Sequence, residues 1–490
     1  MARASPLVLA RAVSALATFA IPLVLVRAFC PAEYGTYKQL ILASQTLYYL
    51  LPFGAAQSLY YFVPRTGPES RRPYLVQALG FLALAGLAAA ALLLALGPQL
   101  AGWLNNPALA PRVPYLALYT AALIAASPLE TAWTARGRTG VAAVFYLGSD
   151  VLKALAMVVP ALAGLGLEGV LWGLCAFAAL RAGATWVCHL RGAGPAFDRA
   201  ALRTQVAYAL PIGASVALLV PQQALHPYLV SAGVDAATFA LYAVGTFQLP
   251  VFDMLYAPTS ELLMVRLAEL DREGRPEEGA AAFRESVHKL ALFFVPAFVF
   301  LVAFAPEIVT ALFTARYLPA VPAFRVSAVG GLLACLPLDG ALRARGQTRH
   351  LLAASAVKVA ATVPLALWGV SRFGMMGGVG SWLAAEIIGK GVLALKVPKA
   401  LGTPAHRLVP WAALLRASVV AGVACLGTLA VRAKVTEIPH VLLRLSGLAA
   451  VFGLLVLAGL VALREARLPR LRPVPVAQPL AVPGQRRLGS

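Results

Sequence analysis

The twelve residues Pro128–Thr139, PLETAWTARGRT, occur again as Pro337–Thr348, PLDGALRARGQT. Seven positions are identical, and Glu130 stands where the second copy has Asp339. The copies lie 209 residues apart in a chain of 490 residues that is 60% apolar. So long a period in so apolar a chain predicts two homologous membrane bundles with a site between them. Outward from this segment, Leu25-Val26 and Tyr34-Gly35-Thr36-Tyr37 align with Leu229-Val230 and Phe239-Ala240-Leu241-Tyr242. Gly166 and Gly169 align with Gly374 and Gly377.

A helix needs about twenty apolar residues to cross a hydrocarbon core about 30 Å thick. Runs of that length begin near Leu7, Tyr37, Tyr74, Pro114, Val141, Leu167, Val206, Ala237, Leu290, Ala323, Leu351, Met375, Pro410 and Val441, which gives fourteen candidate spans. The expected fold is therefore an all-α polytopic membrane protein. Spans one to six match spans seven to twelve. Six is even, so both copies enter from the same side and form parallel repeats; spans thirteen and fourteen stand outside the duplication. The expected divisions are 1–204, 205–400 with a cytosolic helical linker at 259–288, 401–463, and a Pro- and Arg-rich tail at 464–490, expected to be disordered.

Net charge is +21, yet its location argues against nucleic acid. With the N-terminus in the cytosol, the cytosolic connections hold Arg65, Arg71, Arg72, Arg136, Arg138, Arg266, Arg343, Arg345 and many further cations. The opposite connections hold only Arg27, Arg112, Arg316, Arg325, Arg372, Arg432 and Lys434. That asymmetry places both termini inside. The first apolar stretch is too long for a signal peptide and is interrupted by Arg11, so it is expected to remain as a helix. Cys30, Cys175, Cys188, Cys335 and Cys425 show no paired spacing and imply neither a disulfide framework nor a metal site.

Several local stretches carry a family resemblance. Val26 to Tyr37, VRAFCPAEYGTY, resembles the signature after the first span of Wzx-type polysaccharide flippases of the multidrug/oligosaccharidyl-lipid/polysaccharide (MOP) exporter superfamily. Pro52-Phe53-Gly54 is similar to the break in their second span, and Leu267–Leu290 to their charged helix between spans eight and nine. Leu342–Thr348 followed by Arg372–Gly378 resembles a further pair of their motifs. Cys30 departs from the glycine common at its place. The similarity runs over about residues 7–400 in family order. It implies a bacterial inner-membrane flippase for lipid-linked oligosaccharide, working by alternating access as a monomer without a cofactor. A polysaccharide polymerase and a chain-length regulator would be its expected partners.

A charge at mid-bilayer costs about 2.5–3.5 kcal/mol on insertion scales, so each needs a reason. The spans hold the cations Arg11, Lys153, Arg181, Lys358, Lys390 and Arg416, with Lys38 nearer the outer boundary, against the acids Asp150, Asp253 and Glu386. A cationic surplus suits a pyrophosphate, which Lys and Arg meet with charge-assisted hydrogen bonds. Asp150 with Lys153 and Glu386 with Lys390 can equally be clasps along one helix face, and Arg11 and Arg416 can snorkel to headgroups. Arg181 and Lys358 have no nearby acid in sequence. Gln45, Gln57, Gln222, Gln223 and Gln248 are candidates for sugar hydroxyls, or for helix-to-helix contacts. Asp253 is the candidate for ion coupling. Pro221-Gln222-Gln223 and His226-Pro227 are expected to interrupt span seven, and Pro250 and Pro258 span eight. His226 is expected to be a satisfied polar residue.

No HExxH, nucleophile elbow or phosphate loop occurs, and the longest outer connection, about Gly97 to Val113, leaves little room for a catalytic site. Three alternatives remain open: a lipid II flippase, a multidrug cation antiporter of the same superfamily, and a polytopic glycan polymerase. Residues 1–32 contain no Asp or Glu, which counts against the antiporter.

Overall fold

The computed structural model describes residues 19–67, 70–190, 197–247, 249–436 and 440–463. These residues are helical, with no strand among them. In hydrocarbon each backbone N–H and C=O must be satisfied within its own segment, and a helix does this. Ten helices among the described residues are long and apolar enough to cross a membrane. The chain is a multi-pass membrane protein.

The first half comprises α1 (Phe19–Ala28), α2 (Pro31–Leu50), α3 (Ala55–Arg65), α4 (Arg72–Trp103), α5 (Val113–Ala125), α6 (Leu129–Ala135), α7 (Thr139–Leu162) and α8 (Gly166–Leu190). The second comprises α9 (Arg199–Gly233), α10 (Ala236–Gly245), α11 (Pro250–Arg272), α12 (Gly279–Ala303), α13 (Ala305–Phe313), α14 (Val321–Leu332), α15 (Leu338–Ala344) and α16 (Thr348–Ala400). The short α17 (Ala405–Leu408) leads to α18 (Trp411–Thr436) and α19 (Val441–Ala462).

The duplication is visible in where helices break. α2 stops before α3 at 51–54, where Pro52 cannot donate and Phe53 and Gly54 take φ of 43° and 74°. The second half breaks about ten residues earlier, between α10 and α11 at 246–249, and the stretch aligned with 51–54 lies inside α11. α5 gives way to α6 just before Pro128, and α14 to α15 just before Pro337. Both short helices then end on a left-handed glycine, Gly137 at φ 75° and Gly346 at φ 66°. A Cβ is strained there, which accounts for the glycine common to the two copies. The 53-residue α16 is two helices joined through a kink at Gly374 (φ 55°, ψ −134°), the counterpart of the turn between α7 and α8.

One expectation about helix breaks is corrected. α9 runs without a break through Pro211, Pro221 and Pro227, and α11 continues through Pro258. A lone proline removes one helix bond, and a packed membrane helix can absorb that loss. The charged stretch between spans eight and nine is helical in two parts. It is the end of α11 and the start of α12, joined by a turn at 273–278.

The main apolar core spans both halves. Leu25, Tyr34, Leu116 and Leu174 from the first pack in one cluster with Ala240, Phe304, Tyr317 and Phe324 from the second, and with Val420 and Leu448 of α18 and α19.

Candidate substrate path between the two halves

At the end of the molecule that carries Arg27, α1 and α2 are tied to the second half. Arg27 donates to the carbonyls of Ala311 (2.7 Å) and Leu312 (2.9 Å). Tyr34 meets Tyr317 edge to face at 6.0 Å. The fully buried Gln39 donates to Ser231 Oγ (2.7 Å) and to the Leu104 carbonyl, and accepts from Asn106 (2.6 Å). Gly35 lies against the backbone of Ala236 so closely that a Cβ would sit 1.7 Å from its carbonyl oxygen. The Tyr-Gly of the motif after the first span thus marks a close backbone approach between the halves. At the opposite end the halves meet through α9, where Gln205 donates to Ser58 Oγ (2.9 Å) and the Tyr74 carbonyl (3.1 Å).

In the first half the charges gather behind α6. Arg181 of α8 bonds Glu130 at 2.6 Å, and Glu130 is 2% exposed. Ser149 also donates to Glu130 (3.3 Å). The partner of Arg181 is therefore an acid 51 residues away, which no same-helix spacing could supply. Lys153, half-buried on α7, lies within electrostatic reach of Asp150 and Arg181.

The second half repeats the theme with different wiring. Asp339 accepts from Tyr256 Oη, from Ser260 Oγ (3.3 Å) and from Arg343 (2.9 Å). Lys390, the counterpart of Arg181 within one position, lies over the Tyr256 ring at 5.2 Å and donates to the Leu336 carbonyl (3.4 Å). The expected clasp of Glu386 with Lys390 is not the bond formed. Glu386 takes Lys358 from the facing arm of α16, because the kink at Gly374 folds the two arms together. Lys358, too, has an acid that local sequence did not reveal.

These pairs narrow the cationic surplus. Arg181 and Lys358 are neutralised, while Lys153 and Lys390 form no ion pair among the described residues. Asp253 and Glu386 line one cavity of about 200 Å³ with Ser327 and Trp382. Gln45 of α2 and Gln223 of α9 line a smaller cavity of about 70 Å³, which brings one candidate from each half together. Gln57 is exposed on α3, Gln222 is half-buried on α9, and Arg416 is exposed on α18. Arg11 and Gln248 lie outside the described residues. His226 is buried with both ring nitrogens engaged, by Tyr242 Oη (2.8 Å) and the Gly378 carbonyl (2.6 Å). Sequence reasoning passed over Glu130 and Asp339 as site residues, although the repeat had marked them as equivalent.

Two related helical halves, each with internal ion pairs, thus touch at both ends of the described structure. Solved structures share the fold. The lipid II flippase MurJ in an inward closed conformation superimposes with a TM-score of 0.70 at 13% identity, over 92% of this chain and 99% of that one. A multidrug resistance MATE family transporter in an inward-facing conformation gives 0.60 at 15% identity, over 80% and 96%. No curated protein matches the sequence significantly. Residues 24–322 match the sequence model of the polysaccharide biosynthesis protein family, and the chain belongs to that family.

Proposed function

We propose that the chain is a flippase that carries undecaprenyl-pyrophosphate-linked oligosaccharide repeat units from the cytosolic to the periplasmic leaflet of the bacterial inner membrane. The product would feed O-antigen, capsule or exopolysaccharide synthesis. One observation carries most of the weight: in a member of a polysaccharide biosynthesis family, the halves are clamped at the Arg27 end by Gly35 on Ala236. Lys153, Lys390, Gln45 and Gln223 take no part in that clamp. A substrate headgroup can then be received from the other end.

In this reading the chain crosses the membrane fourteen times with both termini inside, as the charge asymmetry directs. The divisions are 1–204, 205–400 and 401–463, ahead of the basic tail. Lys153 and Lys390 meet the pyrophosphate, since neither is held by a carboxylate in an ion pair and charge-assisted bonds to phosphoryl oxygen are strong. Gln45 and Gln223 face the sugar, and the polyisoprenyl chain stays in the bilayer. Rocking of the halves breaks the outer clamp and forms its inner counterpart. Asp253 with Glu386 is the place for a coupling proton or cation.

The test is deletion of the gene in its host, with lipid-linked oligosaccharides assigned to leaflets. Full-length units accumulating on the cytosolic side, with surface polysaccharide lost, support the reading. Units reaching the periplasm with only chain length altered would sink it and favour a polymerase role. The fold likeness to MurJ motivates a second reading, lipid II flipping. The same assay separates it, because the peptidoglycan precursor would then be the species retained.

A further inference from the structure

The duplicated segment contains a contrast that its intramembrane acids do not explain. Arg345, after α15, is held by Asp271 of α11 and by the Pro276 carbonyl. Its counterpart 209 residues earlier, Arg136, has no carboxylate partner among the described residues. The charges facing Arg136 are those of Arg71, at the start of α4, and Arg138. Burial and these two neighbours push the Arg136 guanidinium below its ordinary value. Arg136 Nε and Trp133 Nε1 are buried without a hydrogen-bond partner. Trp133 forms the floor, with Arg136 at 5.1 Å and Arg138 at 5.5 Å from its ring centroid. It is itself stacked on Phe145 and packed against His189. In the second copy Leu342 replaces Trp133 and Gln347 replaces Arg138. One copy thus supplies its own anion, and the other gathers cations on an aromatic base.

We propose that Arg136 and Arg138, on the platform of Trp133 and with the charge of Arg71 near Arg136, form a binding site for a phosphoryl anion at the cytosolic mouth of the first half. This deepens the flippase reading and rests on it for the orientation. A guanidinium presents paired donors that match two phosphate oxygens, and several of them share a pyrophosphate better than a single lysine can. An anion there relieves the mutual repulsion of the three cations. Arg136 stands six residues beyond Glu130, about 9 Å along a helix rising ~1.5 Å per residue. A phosphoryl group received at the mouth is therefore one short step from Arg181 and Lys153. The source of that group is either the substrate's pyrophosphate or the headgroup of an anionic lipid.

The experiment titrates inorganic pyrophosphate into the purified full chain in nanodiscs of neutral phosphatidylcholine, read by calorimetry. Arg136→Gln is expected to weaken binding at least tenfold and Arg138→Gln several-fold, while Arg345→Gln, whose native charge Asp271 already meets, leaves it unchanged. Equal binding by wild type and Arg136→Gln overturns the site, as does an equal loss in Arg345→Gln. If Arg136→Gln does not fold, the exposed Arg138 decides, and an unchanged affinity in Arg138→Gln overturns the site. Repeating the titration with phosphatidylglycerol in the disc separates the sources. Affinity that falls with phosphatidylglycerol in wild type, and not in the variant, assigns the site to lipid headgroups; affinity that holds assigns it to pyrophosphate. Binding is read here without transport. A chain that binds through Arg136 yet leaves lipid-linked units undisturbed in cells therefore loses the flippase reading and keeps the site.

Discussion

In the first copy of the duplicated segment, α6 carries Glu130 with Thr134 four residues on; in the second, α15 carries Asp339 with Arg343 at that place. Thr134 only donates back to the Glu130 carbonyl (2.9 Å), so the Glu130 carboxylate has no cation on its own helix and reaches Arg181 of α8. Asp339 has Arg343 beside it and needs less from a distance; it takes hydroxyls from Tyr256 and Ser260 of α11 instead. The close approach of α15 to α11 that permits this requires Gly340, where a Cβ would sit 2.6 Å from Ser260 Oγ. The first copy has Thr131 there. The backbones are alike while the electrostatics have diverged: one pair is a buried bond between helices, the other a partly solvated cluster. Identity between repeats therefore reports shared geometry, and the differences report which partner each half uses.

The strongest way to break the comparison is to write one copy's residue into the other. Gly35 aligns with Ala240. Gly35→Ala would place a Cβ 1.7 Å from the Ala236 carbonyl, so the outer clamp must part. We expect loss of most flipping activity, together with faster labelling of the exposed Cys30 by a membrane-impermeant maleimide. Wild-type activity and labelling would show that the clamp yields without cost.

Next in size is Glu130→Gln, which leaves Arg181 charged and unpaired where side-chain exposure is only 15%. Removing one partner of a buried ion pair costs roughly 3–5 kcal/mol. The thermal unfolding midpoint should fall sharply, and Glu130→Gln with Arg181→Met should regain most of it. If the double variant is no better than the single one, the pair is not the source of the loss. Asp339→Asn should cost less, about 1–2 kcal/mol, because Asn still accepts from Tyr256 and Ser260 and Arg343 keeps contact with water. An equal loss at 130 and 339 would erase the contrast drawn between the copies.

Much of this architecture was legible because it depends on composition. The all-helical, multi-pass architecture follows from apolar run length, a local property. Charge pairing was legible only in part. Spacing along one helix suggested Glu386 with Lys390, yet the kink at Gly374 delivered Lys358 to Glu386 from the other arm. Arg181 seemed to lack an acid because Glu130 is distant in sequence and adjacent in space. The prolines of α9 misled for a related reason. A proline's cost is local, but neighbouring helices decide whether the helix breaks, and here it continues.

The smallest expected effect returns to the two copies at a single position. Arg343→Thr converts the second copy to the residue of the first, Thr134. The Arg343 side chain is 51% exposed and that of Asp339 18%, so the pair is solvated on one side and screened by salt. Such pairs contribute about 0–1 kcal/mol. Asp339 would keep Tyr256 and Ser260, and Lys390 remains within electrostatic reach of it. The unfolding midpoint should therefore move by no more than about a degree or two. A drop comparable to that of Glu130→Gln would mean that Asp339 depends on Arg343 as Glu130 depends on Arg181. The two halves would then be electrostatically equivalent, with the cation merely moved from a neighbouring helix onto α15 itself.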